Sequence, residues 1–336
     1  MDSDGRKKFW DVLNSLHDNS ETSVKTLMDA SPWPKTLCRF RSVNKASLQQ
    51  LNDNKLFFSS ADYYDDPFDT YFYIDVEQMI PEYEQMRENL FVGRGKNINA
   101  VNQLAIVTRQ NPDVLIREIL NKPVDFAMVK EQLIKVRDSM QKKMFSVCFC
   151  EDEYNETLWL KYAGNYSGFV QVYDFENPDT FMCGKSKECL NCITAKDPLY
   201  FYPVYYSDKR YDATKFAWGT WLIDNFPKNS GTIPTAIYQY VQENLMWEVE
   251  RISLIKKKCH ENDQEWRMIR PAIFEQRTCV KMKPCKVIIG LRTPEYESRL
   301  IVSAALNAGI QEIHKLYIND SDELDSKPVQ EELYHL

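Results

Sequence analysis

The chain has 336 residues, 43% of them hydrophobic and 13% aromatic, which is enough apolar side chain to build a core and to exclude disorder over most of its length. Forty-two basic against 49 acidic residues give a net charge of −7, which disfavours wholesale binding to nucleic acid or to an anionic membrane surface. No run of about 18 apolar residues occurs, so no membrane-spanning helix is expected. With 10 glycines, 15 prolines and no Gly/Ser linker, one decorated domain is favoured over two.

In chain order, residues 1–33 read as an N-terminal helical segment. Its first helix carries Phe9, Trp10, Val12, Leu13 and Leu16 along one side and lacks the uninterrupted apolar core of an export signal. A single α+β domain is expected over residues 34–320. Its opening strand, Thr36 to Arg41, alternates Leu37, Arg39 and Arg41 with Cys38 and Phe40. A short helix from Asn44 to Asn52, capped by Asn44, precedes a strand at Lys55 to Ser59 and the acidic turn Tyr63 to Asp69, where Pro67 forbids regular helix.

Residues 76–143 read as a helical insertion with Val107 and Val114 among its expected buried points. Strands return at Phe145 to Cys150 and Gly168 to Tyr173, around a helix from Glu156 to Tyr162. Tyr200 to Tyr206 is a further strand candidate. A second helical insertion spans 214–259. Strands at Gln264 to Arg270 and Cys285 to Leu291, a helix at Pro294 to Ala308 and a strand at Glu312 to Ile318 complete the domain. The acidic tail, 321–336, is expected to be loose. Mixed, mostly antiparallel strands with helical blocks between them define the α+β class.

Nine scattered cysteines fit free thiols in a reducing, cytoplasmic setting. Cys183, Cys189 and Cys192 tempt as metal ligands, but only the last pair has the two-residue gap of a zinc knuckle, so no metal is expected. The four histidines lie in no metal or triad pattern. Two lysine clusters, Lys256 to Lys258 and Lys281, Lys283 and Lys286, are a basic patch or a solvated face.

Five segments line up in order with one bacterial family: LCRFRS at Leu37, LFFSSADYYDDPFD at Leu56, SVCFCEDEYNETLWLKYAGNYSGFVQVYD at Ser146, DQEWRMI at Asp263 and KVIIGLRTPE at Lys286. Together they resemble domain of unknown function 2971, with Asp65 where that family has Asn and Asp263 where it has Glu. The order of elements also resembles the ADP-ribosyltransferase fold with large helical insertions. That resemblance implies NAD as substrate and an unknown protein or nucleic-acid acceptor. It implies Glu265 as the catalytic carboxylate, and Arg39, Arg41, Ser59, Ser60 and Tyr162 as NAD-binding residues, with Ser59 or Ser60 on the strand beside Glu265. The chemistry suits these residue types: an arginine fork receives phosphate oxygens, a carboxylate stabilises an oxocarbenium-like ribose, and an aromatic ring such as Phe58, Trp159 or Tyr162 stacks on nicotinamide.

Plainer readings stand beside these. Arg39 and Arg41 can pair with Asp65, Asp66 or Glu265 as an ion network; Ser59 and Ser60 can cap the acidic turn, which Asp66 and Asp69 fix. Trp159 and Tyr162 can belong to the core. A bridge between Glu265 and Arg267 is not expected, on the ground that their side chains point apart. The alternative to an enzyme is a binding module of the same family that recognises a nucleotide, nucleic acid or protein without turnover.

Overall fold

The computed structural model describes residues 1–81, 105–107, 109–121, 125–181, 201–225, 240, 245–271 and 279–329. The chain divides into two compact units, Met1–Tyr71 with Gln141–Arg210 and Val249–Leu336, and Phe72–Met140 with Tyr211–Glu248. The two helical insertions thus share a unit of their own. The second ends near Glu248 rather than 259, because the segment after it rejoins the first unit.

The first unit is α+β. Its strands are β1 (Thr36–Arg41), β2 (Lys55–Phe57), β3 (Ser59–Ser60), β4 (Met144–Cys150), β5 (Phe169–Asp174), β6 (Phe201–Pro203), β7 (Tyr205–Ser207), β8 (Ile255–Lys257), β9 (Glu265–Pro271), β10 (Cys279–Lys281), β11 (Lys286–Ile289), β12 (Glu312–Ile318) and β13 (Leu324–Pro328). Nine of them form one sheet in the order β13-β12-β11-β5-β1-β4-β9-β6, with β3 added to β4. Only β11 and β12 pair parallel; the rest of this sheet is antiparallel. Two small sheets, β10-β2 and the parallel pair β7-β8, lie outside it.

Helices, numbered along the whole chain, follow local signals. In α1 (Ser3–Ser15) the Asp2 side chain caps the Gly5 N–H, and Arg6, Phe9, Trp10 and Leu13 share the buried stripe. Helix α2 (Glu21–Ala30) is capped by Ser20. Helix α3 (Lys45–Asn52) begins in a capping box between Asn44 and Ser47. Asn155 caps α6 (Glu156–Lys161), and α8 (Glu248–Ser253) and α9 (Glu295–Asn307) complete this unit. In the second unit α4 (Pro112–Asn121), α5 (Phe126–Lys143, its last residues in the first unit) and α7 (Thr214–Asn225) are described. Val107 and Val114, expected to be buried, are exposed.

Each face of the large sheet carries its own core. On one, Leu37, Val147, Phe149, Tyr173, Trp266 and Met268 pack together, and Phe169, Val287 and Ile289 pack under Ile301, Val302 and Ala305 of α9. On the other, Cys38, Cys150, Val170, Val172 and Ile288 pack under Leu158 and Trp159 of α6. Gly168 brings the turn after α6 so near the Arg41 carbonyl that a Cβ has no room.

Two expectations are corrected here. The tail is not loose up to residue 328: β13 pairs with β12 from His314↔Pro328 to Ile318↔Leu324. Its polarity is that of an edge strand, with Lys327 and Pro328 on it. Ile255–Lys257 is strand β8 rather than helix, parallel to β7. No described helix is long and apolar enough to cross a membrane.

Candidate functional site

The sheet opens between β1 and β4. These strands pair only at Cys38↔Cys150, whereas β3 takes the same edge of β4 at Ser59↔Ser146 and Ser60↔Phe145. A cleft of about 240 Å³ lies in that split, lined by Arg39, Arg41, Ser59, Tyr162, Lys256 and Glu265 among others. It is smaller than the roughly 300–1,000 Å³ of typical ligand pockets.

Register decides which groups meet. Cys38 pairs with Cys150, and Cys150 with Glu265, so Cys38, Phe40, Ser146, Cys148, Glu265 and Arg267 share one face. Arg39 and Arg41 alternate onto the opposite face with Phe149. The cleft lining therefore draws on residues of both faces of the sheet, the acidic groups from one and the arginines from the other. This corrects the idea that Arg39 or Arg41 pairs with Glu265.

Glu265 begins β9 directly after Gln264, which is left-handed at φ 44°. A non-glycine residue in that region costs on the order of 1 kcal/mol, which the contacts of Glu265 offset. Its Oε1 accepts from Arg267 Nε at 2.6 Å and its Oε2 from Lys256 Nζ at 2.8 Å. Residues two apart on a strand share a face, so Glu265 and Arg267 point the same way and bridge, contrary to the expectation that they point apart.

Arg267 is fully buried and grips Asp69 with a two-pronged contact, Nη1 to Oδ1 at 2.7 Å and Nη2 to Oδ2 at 2.5 Å. Its Nη1 also donates to the Ser253 carbonyl at 2.7 Å. Lys256 lies 3.4 Å from Asp263 and 3.6 Å from Asp69. The side chain of Lys256 is thus buried rather than on a solvated face, and Lys286 pairs with Glu153.

Protonation follows from this packing. Burial alone raises a carboxyl pKa, but the charges of Arg267 and Lys256 outweigh it and hold Glu265 well below the usual carboxylate range. Burial alone lowers a lysine pKa; Glu265 and Asp69 reverse that and keep Lys256 charged. Burial, then the Glu265 charge, pushes the Cys148 thiol up to about 12, so it is no thiolate nucleophile at neutral pH.

The arginine wall is different. Arg39 lies over the Phe149 ring at 5.9 Å, and its Nη1 is buried with no hydrogen-bond partner. Arg41 has one long contact, Nη2 to Gln50 Oε1 at 3.5 Å. Neither has a carboxylate within ion-pair distance among the described residues. Burial, then the neighbouring Arg39 charge, lowers the Arg41 pKa to about 10. Tyr173, behind them on β5, has a fully buried hydroxyl without a partner.

The remaining candidates divide. Tyr162 caps α6 and lines the cleft, with Lys161 Nζ 4.7 Å from its ring centre. Trp159 and Phe58 are core residues. Ser59 lines the cleft, but β3 pairs with β4 and not with β9, so it is not beside Glu265. Ser60 is buried, donates to Asp62 Oδ1 at 2.6 Å and stays outside the cleft lining. Asp66 fixes the turn by accepting from the Phe68 N–H at 2.9 Å, while Asp69 reaches into the sheet instead. Tyr64 hydrogen-bonds to Ser146 and lies under the Arg267 guanidinium. His260, in no motif, approaches Asp66 at 3.3 Å and Asp263 at 3.7 Å.

Among the described residues no group of three or more His, Cys, Asp or Glu side chains is arranged to hold a metal; Cys183, Cys189 and Cys192 lie outside them. Compared with protein-family models, curated proteins and solved structures, the chain matches none.

Proposed function

We propose that the cleft binds a nucleotide of the NAD type and that its chemistry is transfer of ADP-ribose to an acceptor. Convergence carries the reading: Arg39, Arg41, Ser59, Tyr162 and Glu265, from three strands and a helix end, line one cleft. The order of Arg, Ser and Glu supports kinship with the ADP-ribosyltransferase fold, and the five segments between Leu37 and Glu295 support kinship with domain of unknown function 2971.

In this reading the ligand threads the split sheet. Its pyrophosphate meets Arg39 and Arg41, whose guanidinium donors lack an acidic partner among the described residues. Tyr162 stacks on the nicotinamide ring. The bond from ribose C1′ to the ring nitrogen breaks, and its electron pair leaves with neutral nicotinamide. An acceptor heteroatom bonds C1′ and loses its proton to solvent. Ionised Glu265 stabilises the cationic ribose, with Lys256 yielding part of Oε2 to a ribose hydroxyl.

A second reading, a binding module without turnover, is favoured by one observation: both Glu265 oxygens are already committed to Arg267 and Lys256. The two part on NAD titration and a nicotinamide-release assay with wild type and Glu265→Gln, at a temperature where both are folded. Transfer predicts NAD affinity retained in the variant and release slowed by roughly 10²- to 10³-fold. NAD binding without release by wild type gives the second reading; no NAD binding by wild type sinks the NAD assignment altogether.

A further inference from the structure

We propose that Arg6 is a positioning residue for Glu265, and that α1 is the strut through which the N-terminal segment sets the acidic wall of the cleft. Arg6 shares the helix stripe of Phe9, Trp10 and Leu13, a place where a cation needs a built receptor. Such a receptor is present. Nη1 donates to the Glu265 carbonyl at 2.8 Å and the Val204 carbonyl at 2.9 Å, and Nη2 to Glu151 Oε1 at 2.6 Å. The guanidinium also lies 5.6 Å from the Tyr206 ring centre, and the Tyr206 hydroxyl accepts the Glu265 N–H at 2.8 Å. Glu151 Oε1 is shared with the Trp266 indole N–H at 2.5 Å. Thus the main chain of Glu265 is held from both its amide and its carbonyl side by groups gathered around Arg6.

A second tie reaches the Glu265 carboxylate. Arg251 of α8 donates Nη2 to the Leu13 and Leu16 carbonyls at 3.0 and 2.6 Å, at the C-terminal end of α1 where a cation also meets the helix dipole. Two residues on, the Ser253 carbonyl accepts from Arg267, and three further on Lys256 bonds Glu265. Helix α1 is therefore coupled to Glu265 through its backbone by Arg6 and through its counter-ions by the Arg251-to-Lys256 segment. Stacking of Trp10 on Tyr205, 5.1 Å between ring centres, fixes the strut against β7. The inference goes beyond the NAD reading, since it holds whatever ligand the cleft takes.

Amide hydrogen exchange on the full chain tests it. In Arg6→Ala, amides of residues 204–206 and 265–267 should exchange about 10- to 100-fold faster, the equivalent of losing charge-assisted hydrogen bonds in a local opening. Residues 287–289, on the far side of the sheet, should keep wild-type rates. Arg6→Lys retains the charge but not the fork, and should restore melting temperature more than protection at Glu265. Uniform acceleration through the whole chain, or unchanged exchange at Glu265, would overturn the proposal. Should Arg6→Ala not fold, Arg251→Met cuts the second tie and should speed exchange at 253–257 and 265–267 alone; the same two contrary patterns would overturn it.

Discussion

On the acidic wall of the cleft Lys256, Arg267, Glu265 and Asp69 are each matched by an opposite charge within 3.6 Å, whereas on the arginine wall Arg39 and Arg41 share a strand and have no carboxylate within ion-pair distance among the described residues. The first arrangement is a closed network. Its desolvation cost is offset only while all members remain, so it resists change and tolerates loss badly. The second leaves a buried donor unserved, which costs free energy in the free protein and becomes favourable when an anion arrives. Paired and unpaired charges therefore sit on different sides of one cleft, and substitutions on the two sides should affect stability differently.

The sharpest way to break that contrast is Arg267→Met, which keeps an unbranched apolar stem and removes the charged fork. Asp69 and Glu265 then lie buried with Lys256 alone between them. We expect a loss of roughly 3–5 kcal/mol in denaturant unfolding. A loss under about 1 kcal/mol would show that the network is not what holds this wall together.

Acid should separate the walls by a smaller amount. Glu265 has a folded pKa depressed below its unfolded value, so its contribution is fully present above the ordinary carboxylate range. That contribution drains away as pH falls through the ordinary carboxylate range towards the depressed value. Arg41, with a pKa of about 10, does not titrate there. Urea melts from pH 7 to pH 2 should show a steeper decline in wild type than in Glu265→Gln, in which Asp69 and the other paired carboxylates still titrate; parallel profiles would contradict the assignment.

Much of this fold was legible locally. Thr36–Arg41, the Asn44 cap of α3 and Glu312–Ile318 fall where alternation and capping put them, because those signals are set by neighbours a few residues away. The site was legible only as residue types. That Arg39 and Glu265 project from opposite faces depends on two pairings, Cys38↔Cys150 and Cys150↔Glu265, which join strands more than a hundred residues apart. Lys256 hid inside a lysine run, and its burial is dictated by Asp69 and Glu265 rather than by its neighbours. Arg6 was readable in principle, since a cation on the stripe of Phe9 and Leu13 is out of place on an apolar face. The bridge between Glu265 and Arg267 follows from the two-residue period of a strand.

The smallest effect on stability, and the most telling, is expected at Arg41. Burial and the adjacent Arg39 lower its pKa to about 10, which means that folding disfavours its charged form. For a base with a depressed folded pKa the electrostatic cost is present below that pKa and is relieved as pH rises through it. Arg41→Gln removes the cost at neutral pH and gives up one 3.5 Å contact with Gln50, which is near the limit of a hydrogen bond. The variant should be as stable as wild type or more stable by up to about 1 kcal/mol. Pyrophosphate, titrated by calorimetry at two salt concentrations, should bind roughly tenfold or more weakly, with a shallower salt dependence, because a charge-assisted contact is gone. Loss of several kcal/mol of stability with unchanged pyrophosphate affinity would make Arg41 structural, and the contrast between the two walls would fail with it.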